Sequence, residues 1–170
     1  MMNLFYPDYY FDNIYQATPQ LFMENGIKGI IFDIDNTLAP YEMALPDEKL
    51  TAYLNSLTEC GIKIAFVSNN HKERVDTFNI FGCYGAHDAG KPARRAVRLA
   101  MQHMGTDETN TALCGDQIFT DIFAGKRLGL LCILVNPIKD KTTLFFKTKR
   151  MLEKPILKSY LKKRSDKNGR

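Results

Sequence analysis

The strongest constraint on the fold is a set of short, unbroken apolar runs, most of them ending abruptly in polar or acidic residues. KGIIFD at 28–33, IKIAFV at 62–67, TALCGD at 111–116 and LLCILV at 130–135 have strand length and no polar face. A strand with one wet face alternates apolar and polar residues. A run without alternation is buried on both faces, as in a parallel sheet covered by helices.

The intervening segments read as those helices. Thr18-Pro19 supplies a cap and a first-turn proline, and Gly26 a stop. Residues 47–60 place Leu50, Tyr53, Leu54 and Leu57 on one face, with Gly61 ending the helix. Asn70 followed by Glu73 has the spacing of a capping box and predicts a helix from about 71 to 81. Pro92 suits the first turn of a helix that turns Ala96, Val97, Ala100, Met101 and Met104 inward, and 119–128 reads as another. Strands and helices in close alternation give an α/β fold with a doubly wound, mainly parallel sheet. With 170 residues, 45% of them hydrophobic, one such domain is expected over 1–140.

The remaining segment, 141–170, differs in charge. From Lys139 onward there are 12 Lys/Arg against Asp140, Glu153 and Asp166, a net +9; since the whole chain carries +4, the part before Lys139 carries −5. Phe145, Phe146, Met151, Leu152, Ile156, Leu157, Tyr160 and Leu161 are interleaved with the basic residues, and Pro155 is expected to divide two helical pieces. Residues 142–164 are therefore a candidate contact with an anionic membrane surface. Docking of the apolar face on the sheet domain, or a solvated basic end, are the alternatives. Nucleic-acid binding is not expected, because no aromatic stacking platform is evident.

Cys60, Cys83, Cys114 and Cys132 are widely spaced, with no C-x-x-C pair, and read as buried thiols in a reducing, intracellular compartment. The amino terminus lacks a secretory pattern, and the longest apolar run is too short to span a bilayer. A cytoplasmic protein, soluble or peripheral at a membrane, is expected.

Ligands of open parallel sheets bind beyond the carboxyl ends of the strands. The polar residues there are Asp33, Asp35 and Thr37, then Ser68 and Asn69, then Lys91, then Asp116, Thr120 and Asp121. They suit Mg²⁺ and phosphate. Asp33 and Asp35, two apart on extended chain, can approach one bound group. An Asx turn is the bland alternative for DIDNTL, and an EF-hand loop fits poorly because its glycine position falls on Leu38 and its terminal glutamate on Ala44. GAHDAGKP at 85–92 nearly matches a nucleotide-binding P-loop, but Pro92 offers neither the hydroxyl nor the N–H that the last position requires.

DIDNTL, SNN at 68–70, GKP at 90–92 and GDQIFTDI at 115–122 resemble, in order, the four motifs of the haloacid dehalogenase superfamily, across a motif core of about 28–136. The flanks PDYYFDNIYQATP and EKPILKSYLKKR are similar to those of its YqeG-like subfamily IIIA phosphatases, relatives of the mitochondrial phosphatidylglycerophosphate phosphatase. The resemblance implies a Rossmann-like core, with Asp33 as nucleophile and Asp35 as acid and base. It also implies Mg²⁺ held by Asp33, the Asp35 carbonyl and Asp116. Ser68, Asn69 and Lys91 would meet phosphate, with Thr37 and Asp121 in support. The implied substrate is a phospholipid phosphate, against a protein, nucleotide or sugar phosphate as the alternative.

The intervals from Asp35 to Ser68 and from Ser68 to Lys91 are short. A helix and a strand nearly fill each one, so no cap domain is expected. An open site needs a large or surface-embedded substrate, or an oligomeric partner as its roof. A phospho-accepting receiver fits poorly, since the strand after the acidic pair ends in Ser68. An inactive binding module fits poorly with four motif carboxylates retained.

Overall fold

A computed structural model of the chain describes residues 4–139 and 144–168, with side chains in the latter segment described for 147–166. Six parallel strands form one sheet: β1 (Tyr9–Phe11), β2 (Gly29–Phe32), β3 (Lys63–Val67), β4 (Tyr84–Ala86), β5 (Thr111–Gly115) and β6 (Leu131–Val135). Their order is β1-β6-β5-β2-β3-β4. From β2 the chain winds outward through β3 to β4, then returns to the other side of β2 as β5. The switch point therefore lies between the carboxyl ends of β2 and β5, where a crevice opens.

The unbroken apolar runs have a direct explanation in the packing. Ile30, Phe32, Ile64, Phe66, Ala112, Cys114, Ile133 and Val135 point to one face, against α1 (Pro19–Glu24), α2 (Glu48–Glu59) and α3 (Lys72–Phe78). Their neighbours Ile31, Ala65, Val67, Leu113, Cys132 and Leu134 point to the other, against α4 (Arg95–Met104), α5 (Phe123–Lys126) and α6 (Leu144–Asn168). Each fully buried large side chain contributes about 1.5–3 kcal/mol, and both faces are filled. Gly125 lets α5 approach closely, since a Cβ there would lie 2.5 Å from Cys132 Sγ.

Several expectations need correction at element ends. α3 starts at Lys72 and stops at Phe78, short of 81, and His71, not Asn70, precedes it without a side-chain cap. Asn70 is drawn away because its amide donates to Asp35. α4 begins at Arg95, not at Pro92; a turn closed by the Ala93 N–H to the Gly90 carbonyl comes first. The expected helix at 119–128 opens with a π-helical turn, Ile118–Ile122, before α5. Cys60 is exposed at the end of α2, not buried.

The basic segment is one helix through Pro155, not two pieces. Proline removes one backbone hydrogen bond, but contacts on both sides hold the helix in line. Before it, buried Glu153 accepts from the N–H groups of Ile118 (2.8 Å) and Phe119 (3.4 Å), and Arg150 pairs with Glu153 at 3.0 Å. After it, Ile156 and Leu157 pack on the core, and buried Tyr160 meets the Tyr6 ring edge-on. Phe145 and Phe146 lie outside the described side chains. Among the described residues no helix is long and apolar enough to cross a membrane.

Glu153→Ala should leave the buried Ile118 N–H and the partly buried Phe119 N–H unpaired at the start of the π-helical turn and cost about 1–3 kcal/mol. Thermal unfolding, with amide exchange read at Ile118 and Phe119, should show a lower midpoint and faster exchange there. Lys154→Ala, on the exposed side, should show neither.

Candidate active site

The DIDNTL segment leaves β2 and folds back on itself. The Leu38 and Ala39 N–H groups both donate to the Ile34 carbonyl, and Asn36, at φ 66°, takes the left-handed conformation that asparagine tolerates. The turn sends Asp33 and Asp35 into one crevice of about 360 Å³.

At its floor is a buried charge cluster. Lys91 Nζ lies 2.7 Å from Asp33 Oδ1 and 2.7 Å from Asp121 Oδ1. The lysine arrives on the loop after β4, where Asn69 clamps its backbone: Asn69 Oδ1 accepts from the Lys91 N–H at 2.7 Å, and Asn69 Nδ2 donates to the Lys91 carbonyl. The Asn69 amide is thus engaged with the chain itself. Ser68 is buried, its hydroxyl accepts from the Asn70 N–H, and it faces the same crevice. Thr37 donates to Asp33 Oδ2 at 3.5 Å. Thr120 lines the crevice and donates to Asp121 Oδ2 at 3.4 Å.

Asp121 reaches Lys91 because Gly115 has no side chain; a Cβ there would sit 2.3 Å from Asp121 Cγ. The glycine of G-D-x-x-x-x-D thus has a steric reason. Asp116 is buried, and carboxylate oxygens of Asp33, Asp116 and Asp121 come within 4.8 Å of one another.

Asp35 stands apart from this cluster. Its Oδ1 accepts from Arg74 Nε at 3.1 Å and its Oδ2 from Asn70 Nδ2 at 2.9 Å. Arg74 also donates to the carbonyls of Met43 and Ala44, tying α3 to the loop after β2. Two carboxylates two residues apart thus have different surroundings.

Sequence reasoning missed six groups around the crevice, among them Gln117, which lines it. Asn70 and Arg74 were hidden within an apparent capping box and a helix surface. Tyr41 lines the crevice while 44% exposed, its phenol pushed up to about 12 by burial and by Asp35, Asp33 and Asp116. Lys149 and Arg150 come from α6: Lys149 lines the crevice and donates to Gln117 Oε1 at 2.5 Å. Arg150 ion-pairs with the Asp116 carboxylate and donates to the Asp116 carbonyl at 2.5 Å. No local pattern announces contacts between groups so far apart along the chain.

Burial, set against the attraction of Lys91, raises the Asp33 carboxyl to about 7, with Asp121 and Asp116 adding repulsion. Burial likewise lifts Asp116 to about 6, opposed by Arg150. Burial disfavours the Lys91 ammonium, but Asp121 and Asp33 more than offset this and hold it charged. Three carboxylates against one lysine leave two negative charges, with Arg150 and Glu153 cancelling at the edge. All-oxygen donors with that residual charge fit a hard divalent cation such as Mg²⁺. The HAD family generally uses this ion.

Comparison with known proteins agrees with this architecture. The sequence model of the HAD-hydrolase-like family matches residues 88–143. The chain is 32% identical over 164 residues, 96% of its length and 95% of the relative's, to the probable phosphatase YqeG of Bacillus subtilis. It is 30% identical over 156 residues to phosphatidylglycerophosphate phosphatase 1, chloroplastic/mitochondrial, of Arabidopsis thaliana, covering 85% of this chain but 44% of that protein. Among solved structures, NagD from E. coli K-12 superposes with a TM-score of 0.54 at 14% identity, covering 67% of this chain and 90% of that one. An uncharacterized Listeria monocytogenes serotype 4b protein gives 0.51 at 15% identity, covering 69% and 85%. These two share the fold.

The raised carboxyls give a pH dependence of defined sign. Between the unfolded value near 3.8 and about 7 the folded protein binds more protons at Asp33 than the unfolded chain, so this group's contribution makes stability fall as pH rises. In EDTA, Asp33→Asn should therefore melt above the unsubstituted protein at pH 8, and the gap should shrink toward pH 5. Thermal scans across that range check it.

Proposed function

The chain is a phosphatase of the haloacid dehalogenase-like hydrolase family, and from that premise we propose that it hydrolyses phosphatidylglycerophosphate through an aspartyl-phosphate on Asp33, with Mg²⁺ as cofactor. The observation that carries this is the buried Lys91 bridging Asp33 and Asp121, with Asp116 beside them.

An oxygen of Asp33 attacks phosphorus, the bond to the leaving oxygen breaks, and Asp35 gives that oxygen its proton. Asp35 then takes a proton from the water that attacks the aspartyl-phosphate, which frees Asp33 and inorganic phosphate. Arg74 and Asn70 hold the Asp35 carboxyl in place for both transfers. Lys91 and the Ser68 hydroxyl meet phosphoryl oxygens as charge builds, while Asp121 and Asn69 keep the lysine aimed and Thr37 steadies Asp33. The Asp33 and Asp116 carboxylates and the Asp35 carbonyl would hold Mg²⁺, which when bound cancels repulsion between the anionic nucleophile and the anionic substrate.

Four observations support a lipid phosphate. The Arabidopsis relative bears that substrate in its name. Helices and strands of the core fill the intervals between motifs, so among the described residues no inserted domain closes over the crevice. Across Asp116 and Arg150 lies a second hollow of about 370 Å³, lined by Leu134, Val135, Pro137 and Leu157 with Lys147 and Lys154. On the outer side of α6, Met151 (62% exposed) and Leu152 (54%) stand among Lys154, Lys158 and Lys162. This face suits an anionic leaflet and would place a cytoplasmic protein peripherally at the membrane.

Purified protein should release phosphate from the lipid in anionic vesicles with Mg²⁺, and Asp33→Asn should lower the rate about a thousandfold or more. Equal release from both proteins would sink the mechanism. Activity confined to soluble sugar phosphates would overturn the lipid substrate. In a separate sedimentation assay, changing Lys154, Lys158 and Lys162 together to Glu should abolish binding to anionic vesicles.

A further inference from the structure

The floor and the rim of the crevice differ in how their cations are used. On the floor, Lys91 is enclosed and divided between Asp33 and Asp121. Arg74 is likewise committed to Asp35 and to backbone carbonyls. On the rim, where Tyr41, Asn70, Gln117 and Thr120 are partly open to solvent, Lys149 projects from α6. Its acceptor is the neutral amide oxygen of Gln117 at 2.5 Å. Lys149 and Lys91 are the two lysines that line the crevice, and Lys149 is the one whose described acceptor is uncharged.

Glu153, Asp121 and Asp116 attract this ammonium, but its described hydrogen bond goes to none of them. Partial burial penalises it, a cost that an incoming anion relieves. A neutral amide is an easily exchanged partner, since a charged acceptor makes a hydrogen bond roughly twice as strong. The floor receives the phosphoryl group being transferred, so a group on the rim faces the part of the substrate beyond it.

We propose that Lys149 is a specificity-determining residue that binds a second anionic group, a phosphodiester on the leaving-alcohol side of the substrate, while the phosphomonoester occupies the floor. This rests on the substrate assigned above and deepens it, because phosphatidylglycerophosphate carries one phosphate of each kind. Gln117 is then the resting acceptor of Lys149, and its own amide, which donates to Asp116 Oδ1 at 3.4 Å, links the second anion's position to the acidic cluster. The basic segment thereby acts in selection within the site as well as on its outer face.

The test uses two soluble substrates with related leaving groups: glycerol 3-phosphate, and the deacylated headgroup glycerophosphoglycerol phosphate, which adds the second phosphate. With Mg²⁺ and the full chain, the unsubstituted protein should show a KM about tenfold lower for the headgroup, as expected for one charge-assisted contact. In Lys149→Ala that ratio should fall to about one, and Lys149→Arg should restore it. A ratio near one in the unsubstituted protein, or equal losses on both substrates in Lys149→Ala, overturns the proposal; the latter is what a merely structural role would give. Hydrolysis of glycerol 3-phosphate without hydrolysis of the headgroup overturns both the proposal and the substrate assignment. A tenfold ratio with no activity on the lipid in vesicles upholds the second-anion contact and overturns the lipid substrate alone.

Discussion

The fold is organised around an electrostatic conflict: carboxylates of Asp33, Asp116 and Asp121 meet within 4.8 Å in a place with little water. Such a group persists only if other parts of the structure hold it together. Lys91 sits between two of the three, and Arg150 takes the outer one. Asn69 fixes the lysine's backbone, and Gly115 makes room for Asp121. Elements from β2, β3, the loop after β4, β5 and α6 therefore converge on one point, where the parallel sheet reverses its winding. Burial first, and repulsion from Asp121 and Asp116 after it, raise the Asp33 carboxyl to about 7 in spite of Lys91.

The sequence discloses the centre of this arrangement better than its border. The four central strands were legible because burial on both faces leaves an unbroken apolar run, and Ile30, Ile31 and Phe32 alternate between two separate cores. The short edge strands, Tyr9–Phe11 and Tyr84–Ala86, are only partly buried and left no such run. The residues at the strand ends could be named because polar groups interrupt apolar ones. Asn70 misled because its spacing to Glu73 fits a local cap, while a long-range hydrogen bond to Asp35 decided its position. Lys149, Arg150 and Glu153 were legible only as charge. Their partners Gln117, Asp116 and the Ile118 N–H belong to a distant stretch of the chain.

The basic segment is where composition and structure diverge most. As a string of lysines it reads as a solvated face, and its outer side retains that character. Its inner side carries an arginine to the acidic cluster and a glutamate to a helix start, so opposite charges on one turn satisfy opposite needs of one loop. Pro155 is tolerated because these polar anchors on one side and Tyr160 on the other fix the helix direction more strongly than one missing hydrogen bond can disturb it.

The docking of α6 also orders events during synthesis. The ribosome makes the sheet and all four motifs before it makes residues 144–168, so a nascent chain can assemble Asp33, Lys91 and Asp121 while Asp116 still lacks Arg150 and the Ile118 and Phe119 N–H groups still lack Glu153. Completion of the crevice is thereby deferred until translation has passed α6. A chain interrupted before that point would carry every motif residue and still lack Lys149 at the rim and Arg150 on Asp116.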